Sequence, residues 1–412
     1  MRHIVIAWEL GGYLGHMFRI LPIATRLRDA GYKVSFILGD LSRVEPVIGK
    51  MGFDVVQAPV WLPKARKLPD PPVSYAEILQ HFGYLSEPGL MGLVKGWRKL
   101  FEWMQPDLVL FDYAPTALLA SHNLNFPRAI IGTGFFTPPP IHPTPNMRPW
   151  VEVSQKRLEL ADKKVLHVIN RVLDQFFPTT KIENLYELFQ CEENFFTTFA
   201  ELDPYAYQRP KDTRYWGPVF SQSTGKQPIW SEGDSKKIFA YLKPEYGNCE
   251  AVLQALSESV ANTLVFSLNL PQEWVERYQS ATIVFSREPF SMSQVMDECD
   301  ATVCHAGHDT IASALLAERP MLLLPTQLEQ ILLSKSVEKM GMGIICGIDE
   351  NASEIQRKFQ KLIAGMCSST SSAGANNNIP NKAKGLSDTN RTRDMNKTIE
   401  RIVIRCSELV AH

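Results

Sequence analysis

Short apolar runs alternate with stretches of helical periodicity along this chain of 412 residues, and the alternation occurs in two separate blocks. In the first block, the apolar run at 3–8 ends just before Gly11, and apolar residues then recur at helical spacing from Met17 to Ala30. Continuous apolar runs of this length are typical of strands that are buried on both faces of a parallel sheet. The alternation therefore predicts an α/β fold in which each block forms a doubly wound parallel sheet.

A polar, turn-rich stretch after residues 214–218 separates the two blocks. The runs that we interpret as strands are 3–8, 33–38, 53–56, 107–112 and 128–131 in the first block, and 237–242, 263–267, 282–286, 301–304 and 320–325 in the second. We accordingly expect an N-terminal domain at 1–215, a linker at 216–233 and a C-terminal domain at 234–366.

The last part of the chain differs in composition from both blocks. Residues 367–398 are rich in Ser, Asn, Thr and Lys and contain few apolar side chains, so we expect this segment to be disordered. Beyond it, Ile399, Ile402 and Cys406 recur at helical spacing. This pattern predicts a terminal helix at 399–412 that docks on the folded protein.

The charge balance and the apolar runs argue against several classes of protein. Lys and Arg number 43 against 44 Asp and Glu, so the chain lacks the positive charge that favours nucleic acid. No apolar run approaches the roughly 20 residues of a membrane-spanning helix, and Glu9 interrupts the apolar start that a signal peptide needs. The seven cysteines form no Cys-x-x-Cys pair, which argues against a zinc site. We expect a soluble, cytoplasmic protein.

The most informative segment is 303–330, which begins Val-Cys-His-Ala-Gly-His-Asp-Thr and continues through a helix and a strand to a polar pair. The N–H groups of residues 308–310 would open the helix, whose dipole favours an anion at that end. Gly307 permits close approach of the backbone, Thr310 adds a hydroxyl, and His305 offers an imidazole N–H. This combination predicts a binding turn for a diphosphate that needs no obligatory metal.

This segment resembles the nucleotide-sugar signature of GT-B glycosyltransferases, in particular the family 1 and the macrolide or glycolipid transferase branches. In that signature a His-x-Gly-x-x-Ser/Thr turn precedes a helix, a Gly-x-Pro turn, an apolar strand and an Asp/Glu-Gln pair. The resemblance covers nearly the whole chain and is strongest at 285–330. It implies a GT-B fold, with two doubly wound Rossmann-like domains facing a cleft, and transfer of a sugar from a UDP or dTDP donor without a metal cofactor.

The resemblance also implies roles for residues of the C-terminal domain. The turn expected to bind the donor diphosphate consists of His305, Gly307, His308, Asp309 and Thr310. Glu329 and Gln330 would hydrogen-bond to the sugar, and Phe290 lies where the family contacts the nucleobase, although it could equally be a core residue. Two residues depart from the family pattern. Arg319 replaces a glycine, and Asp309 puts a carboxylate beside the diphosphate, which is unfavourable unless it points away.

In the N-terminal block, Gly15 and His16 follow the first strand and open the first helix. In the family this element supplies the general base, so the resemblance implies that His16 removes the proton from the acceptor hydroxyl. A histidine suits this role because its ordinary pKa of about 6.5 lies near working pH. The family often orients this histidine with an aspartate at the end of a later strand, which assigns Asp112 as its partner. The expected outcome is transfer with inversion.

The sequence leaves three other functions open. Gly11, Gly12 and Gly15, with Asp40 after the second strand, could belong to an NAD-binding turn, but a strict Gly-x-Gly-x-x-Gly is absent. A nucleotide-sugar 2-epimerase could use the same fold and needs no acceptor. A non-catalytic nucleotide-sugar-binding subunit would result if Asp309 weakened donor binding.

The stretch 90–104 interleaves apolar and basic residues. It could contact a membrane surface as an amphipathic helix, form a wall of an apolar acceptor pocket, or pack in the core with a basic outer face. We favour the core. The sequence does not decide whether the acceptor is a small polyketide-like molecule, a glycolipid or a polysaccharide precursor, because function follows the site rather than the fold.

Overall fold

A computed structural model describes the chain except for residues 13–14, 64–66, 179, 221–224, 369–385, 387–393 and 412, and except for the side chains of 366–368. The chain divides into two compact units. Unit 1 comprises Met1–Val219 and Asp394–His412, and unit 2 comprises Phe220–Arg393. The segment expected to be disordered, 367–398, falls largely outside the described residues.

Unit 1 is built on a six-stranded parallel sheet. Its strands are β1 (His3–Trp8), β2 (Lys33–Leu38), β3 (Asp54–Gln57), β4 (Leu108–Asp112), β5 (Arg128–Gly132) and β6 (Glu193–Phe196). They lie in the order β3-β2-β1-β4-β5-β6. β1 occupies the centre, where Ile4 pairs with Val34 on one side and with Leu108 on the other. This strand order is that of a doubly wound fold, as the sequence predicts.

Two hydrophobic clusters cover the two faces of this sheet. Successive residues of a strand point to opposite faces, so Val5 lies in one cluster with Val109, whereas Ile4 lies in the other with Leu108. The helices that carry the rest of these clusters are α1 (Gly15–Asp29), α2 (Leu41–Ile48), α3 (Tyr75–Gln80), α4 (Glu87–Met104), α5 (Pro115–Ala120) and α6 (Gln155–Asp174). Coverage on both faces explains why every residue of β1 and β4 is buried.

Unit 2 has the same architecture. Its strands are β7 (Lys237–Tyr241), β8 (Asn262–Phe266), β9 (Ile283–Ser286), β10 (Ala301–Cys304), β11 (Met321–Leu323) and β12 (Gly343–Ile345), in the order β12-β11-β10-β7-β8-β9. Its helices are α7 (Cys249–Ser257), α8 (Gln272–Tyr278), α9 (Met292–Glu298), α10 (His308–Leu316), α11 (Leu328–Lys339) and α12 (Ala352–Ser368). Two parallel sheets with flanking helices are the two Rossmann-like halves predicted from the sequence.

The terminal helix α13 (Met395–Ala411) packs on unit 1 although it follows unit 2 in the chain. Ile402 and Cys406 lie in the same hydrophobic cluster as Ile20 and Leu27 of α1. The hydroxyl of Thr398 donates a hydrogen bond to the backbone carbonyl of Trp216 at 3.1 Å. The apolar stripe of α13 therefore completes the core of the N-terminal unit.

Two strands escape prediction from the sequence, and one predicted helix is shorter than expected. β6 and β12 are short strands at the edges of their sheets, where a strand needs fewer apolar residues than in the centre. The stretch 181–190, interpreted as helical, contains only a short 3-10 helix at Leu185–Phe189. Glu187 caps that turn by accepting the backbone N–H of Asn184 at 2.9 Å.

The stretch 90–104 belongs to helix α4, and four of its apolar side chains pack in the core, as we expected. The side chains of Leu90, Val94, Trp97 and Phe101 are buried in the cluster that covers one face of the unit 1 sheet. These four side chains are therefore covered inside unit 1, whereas Trp103 of the same helix is exposed, and the membrane contact considered for this helix stays a prediction. Among the described helices, none is long and apolar enough to cross a bilayer.

Candidate functional site

The carboxyl ends of β1 and β4 lie side by side at the point where the strand order of unit 1 reverses. β1 is followed by β2 on one side, and β4 is followed by β5 on the other. Ligands of open α/β sheets bind in the crevice outside the strand ends at such a point. Trp8, the last residue of β1, pairs with Asp112, the last residue of β4. His16, in the first turn of α1, is thereby brought next to Asp112.

The imidazole of His16 is held by this aspartate. Nδ1 of His16 lies 2.8 Å from Oδ2 of Asp112, and the two residues are 9% and 1% exposed. Because a carboxylate only accepts hydrogen bonds, Nδ1 carries the ring proton and Nε2 remains as the basic nitrogen. The ring also stacks on Trp8 at 5.1 Å and lies 5.6 Å from the ring of Phe136. The structure therefore brings together the two residues predicted as base and partner.

Arg19 is a third member of this cluster, and the sequence did not predict it. Its Nη2 lies 3.2 Å from Oδ1 and 3.1 Å from Oδ2 of Asp112, and 3.2 Å from Nδ1 of His16. Burial disfavours the ionised form of Asp112, but the charges and hydrogen bonds of His16 and Arg19 outweigh it and lower the pKa of this carboxyl. A signal was available, since Arg19 and His16 are three residues apart and share a helix face.

Nε2 of His16 lies beside Gly11, in the turn between β1 and α1. Gly11 has a φ of 88°, and a Cβ built on it would lie 3.2 Å from Nε2. The left-handed backbone favours glycine at this position, and the absence of a side chain leaves room next to the basic nitrogen. Gly11 also lines a pocket of about 380 Å³ in unit 1, so Nε2 lies beside a wall of a cavity that could hold a small molecule.

Unit 2 has its own reversal of strand order, between β7 and β10. His305 follows β10 directly, but its ring does not have the role that the sequence suggests. Its Nδ1 donates to the backbone carbonyl of Leu324 at 2.9 Å, and its Nε2 accepts the backbone N–H of Lys243 at 2.9 Å. Burial lowers the pKa of His305 to about 4, so the ring is neutral.

This arrangement corrects the expectation that His305 offers a ring N–H to a diphosphate. Both ring nitrogens are used inside unit 2, and the residue is only 3% exposed. Lys243 follows β7 and Leu324 follows β11, which are the two neighbours of β10 in the sheet. His305 therefore links the carboxyl ends of three adjacent strands and fixes the start of the turn that follows.

The turn from β10 into α10 combines a left-handed residue with a glycine in open space. Ala306 adopts a φ of 55°, a left-handed conformation that costs about 1–2 kcal/mol for a residue with a Cβ. Gly307 caps α10 with an ordinary φ of −66°, and no described atom lies within 4 Å of a Cβ built on it. Neither its backbone nor the packing of the protein requires glycine there. The first N–H groups of α10 point toward this turn.

His308, Asp309 and Thr310 form the first turn of α10. Nδ1 of His308 lies 3.4 Å from Oδ1 of Asp309, so the carboxylate leans toward the imidazole of its neighbour. Thr310 is half-buried. The three residues therefore follow Gly307 directly, as the sequence predicts, with the acidic side chain engaged by a histidine.

Glu329 and Gln330 lie in the first turn of α11, directly after β11, and β11 is the neighbour of β10 in the sheet. The Oε1 atom of Gln330 accepts hydrogen bonds from the N–H and the hydroxyl of Thr326, at 2.9 and 3.0 Å, which leaves its Nε2 group to donate. The structure thus brings both polar residues to the same edge of the unit 2 sheet as the turn that starts α10.

Phe290 is a core residue, which is the alternative that the sequence left open. Its side chain is 2% exposed and packs edge-on against Phe239 at 6.3 Å between ring centroids. A ring that is buried in this way cannot stack on a nucleobase. The expected contact between the side chain of Phe290 and the nucleobase is therefore wrong. Among the described residues, no group of three or more His, Cys, Asp or Glu side chains is placed to hold a metal ion.

Comparison with known families matches residues 254–389 to the glycosyltransferase family 28 C-terminal domain. Comparison with curated protein sequences gives no match. The matched family domain makes the chain a glycosyltransferase, and it lies in unit 2 together with the turn at the start of α10.

Several solved structures share the fold over their whole length. The glycotransferase of kitacinnamycin has a TM-score of 0.69 at 18% identity, and the alignment covers 99% of this chain and 98% of that one. The calicheamicin glycosyltransferase CalG4 has a TM-score of 0.68 at 14% identity, with 100% and 98% covered. The glycosyltransferase VinC, solved in complex with dTDP, has a TM-score of 0.57 at 12% identity, with 99% and 98% covered. These likenesses show that the fold is GT-B.

Proposed function

We propose that this GT-B glycosyltransferase transfers a sugar from a UDP or dTDP sugar to an acceptor hydroxyl, with inversion at the anomeric carbon. The observation that carries the proposal is the hydrogen bond between His16 and Asp112 at the carboxyl ends of β1 and β4. It leaves Nε2 of His16 as a basic nitrogen beside the pocket in unit 1. A positioned base of this kind contributes about 10²–10⁴-fold to a rate.

The proposed reaction is a single displacement. Nε2 of His16 takes the proton from the acceptor hydroxyl while that oxygen attacks the anomeric carbon of the donor. The bond from the anomeric carbon to the phosphate oxygen breaks, and the nucleoside diphosphate leaves with the electron pair. Asp112 stabilises the imidazolium that forms, as carboxylates do in hydrolase triads. Attack opposite to the leaving group accounts for the inversion.

The donor half of the proposal rests on unit 2. The N–H groups at the start of α10 and the hydroxyl of Thr310 would bind the diphosphate, in the space that Gly307 leaves open. His305 would act through the turn, because its ring nitrogens are already used. Glu329 and Gln330 would bind the sugar hydroxyls. The complex of VinC with dTDP supports a nucleoside diphosphate as the ligand class.

The leaning of Asp309 toward His308 bears on whether this turn can bind an anion. A carboxylate directed at the diphosphate would repel it, whereas the 3.4 Å contact with the imidazole directs Asp309 to its neighbour. Diphosphate binding by the turn is therefore compatible with the residue that departs from the family pattern. The acceptor would be a small molecule, as the names of the kitacinnamycin and calicheamicin enzymes suggest for those proteins.

The test is a transfer assay with UDP and dTDP sugars and a panel of hydroxylated acceptors. We expect release of nucleoside diphosphate that depends on the acceptor, and a product whose anomeric configuration, read by NMR, is opposite to that of the donor. Retention of configuration would contradict the single displacement. Epimerisation of the donor in the absence of any acceptor would identify the epimerase alternative instead.

A further inference from the structure

The pocket beside His16 is lined by one carboxyl group, two aromatic side chains and other apolar or glycine residues. The residues that line it are Glu9, Leu10, Gly11, Gly12, Val60, Trp61 and Phe82. Its volume of about 380 Å³ lies within the range of small-molecule sites. All of these residues belong to unit 1. The pocket is thus a property of this unit alone.

Glu9 is a buried carboxyl that is hydrogen-bonded in unit 1 by the backbone N–H groups of Thr116 and Ala117 and by the side chain of Thr116. It is 9% exposed, and its Oε2 accepts the backbone N–H groups of Thr116 and Ala117 at 2.8 and 3.3 Å. Oε1 receives neither of these groups, and among the described residues no Lys, Arg or His forms an ion pair with Glu9. Burial raises the pKa of this carboxyl to about 7, which reflects the cost of holding its charge there. Glu9 lines the pocket, so a ligand could supply a further hydrogen-bond partner.

The indole ring of Trp61 packs against two glycines, Gly83 and Gly89. A Cβ built on Gly83 would lie 2.7 Å from Cε3 of Trp61, and a Cβ on Gly89 would overlap the same indole ring. Gly89 lies inside α4, where glycine is less favourable than alanine, so its presence there is explained by the indole rather than by the helix. The half-buried indole therefore occupies space that a side chain at either glycine position would fill.

We propose that this pocket is the acceptor site, and that it selects a flat, largely apolar molecule carrying a second hydroxyl or amino group that donates a hydrogen bond to Glu9. Trp61 and Phe82 would contact the ring system, and Glu9 would accept from the second polar group. The proposal rests on the proposed function, because it places the reacting hydroxyl near Nε2 of His16, which Gly11 adjoins.

The test measures acceptor binding by calorimetry in the absence of donor. The probes are a naphthalenediol, the corresponding aminonaphthol and the monomethyl ether of the diol. We expect the wild type to bind the first two at least about tenfold more tightly than the ether, because only they carry the second donor. Equal binding of all three, or no binding of any, would overturn the proposal.

Two variants assign the preference to the pocket. Glu9→Gln keeps an oxygen for Thr116 and Ala117 but replaces the other oxygen with an amide NH₂, so we expect the preference to vanish. Trp61→Ala should weaken all three probes. Glu159→Gln, an exposed residue of α6, is the matched control and should behave as wild type. A preference that survives Glu9→Gln in a protein that unfolds cooperatively would contradict the assignment.

The two proposals can fail separately. If the probes bind with the expected preference but no UDP or dTDP sugar supports transfer, the pocket assignment stands as a binding site and the proposed reaction falls. If transfer occurs and Glu9→Gln changes neither the KM nor the selectivity for acceptors, the reaction stands and the assignment of this pocket falls.

Discussion

Oδ2 of Asp112 lies 2.8 Å from Nδ1 of His16, although the two residues are 96 positions apart in the sequence. The contact forms because β1 and β4 are neighbours in the sheet and Trp8 pairs with Asp112 at their carboxyl ends. The fold thus supplies the partner that fixes the tautomer of His16. The same aspartate also pairs with Arg19, so one buried carboxylate serves two basic side chains.

Asp112→Asn should lower kcat by about 10²–10⁴-fold, because the amide no longer stabilises the imidazolium. It also leaves the buried Arg19 without its anion, which should reduce the free energy of unfolding by about 3–5 kcal/mol. Steady-state kinetics and urea unfolding measure the two effects. An unchanged kcat would contradict the role of Asp112 in orienting His16.

Gly307→Ala should weaken binding of UDP or dTDP at least about tenfold while leaving stability within about 0.5 kcal/mol of wild type. The added methyl group enters a space that no described protein atom occupies, at an ordinary φ of −66°. Calorimetry and urea unfolding provide the two readouts. Gly92→Ala, also in open space but in α4, is the control. Normal nucleotide binding in the Gly307 variant would show that the ligand does not approach this turn.

His305→Gln should remove a pH dependence from the stability of unit 2. Burial lowers the pKa of His305 from 6.5 to about 4, so the unfolded chain binds more protons between these values and stability falls as pH decreases through them. The loss amounts to up to about 3 kcal/mol. Urea unfolding between pH 4 and pH 7, compared with wild type, measures this slope. Parallel pH dependences in the two proteins would contradict a neutral, buried His305.

The positions of His16 and Asp112 could be predicted because His16 follows and Asp112 ends a strand with a clear apolar pattern, and strand ends meet at one edge of a parallel sheet. Arg19 was missed although it lies three residues after His16 on the same helix face, because this spacing alone does not show that its guanidinium pairs with Asp112. The ring nitrogens of His305 could not be assigned from the sequence, since their partners are backbone groups after two other strands. β6 and β12 escaped detection because edge strands need few apolar residues.

The residues of the pocket in unit 1 could not be predicted from the sequence either. Glu9 looks like an interruption of an apolar run, and Trp61 lies in a segment without helical or strand periodicity. Gly83 and Gly89 acquire a meaning only when the indole is seen to lie against them. Such contacts join distant parts of the chain and leave no local pattern.

The role of His16 as general base is tested most directly by the rate of sugar transfer in His16→Ala, measured beside His167→Ala, an exposed histidine of α6. We predict a fall of about 10²–10⁴-fold in kcat for the His16 variant, with nucleotide binding unchanged and cooperative unfolding retained, and no change for the His167 variant. Wild-type transfer by a folded His16→Ala protein would contradict the assignment of His16 as the general base.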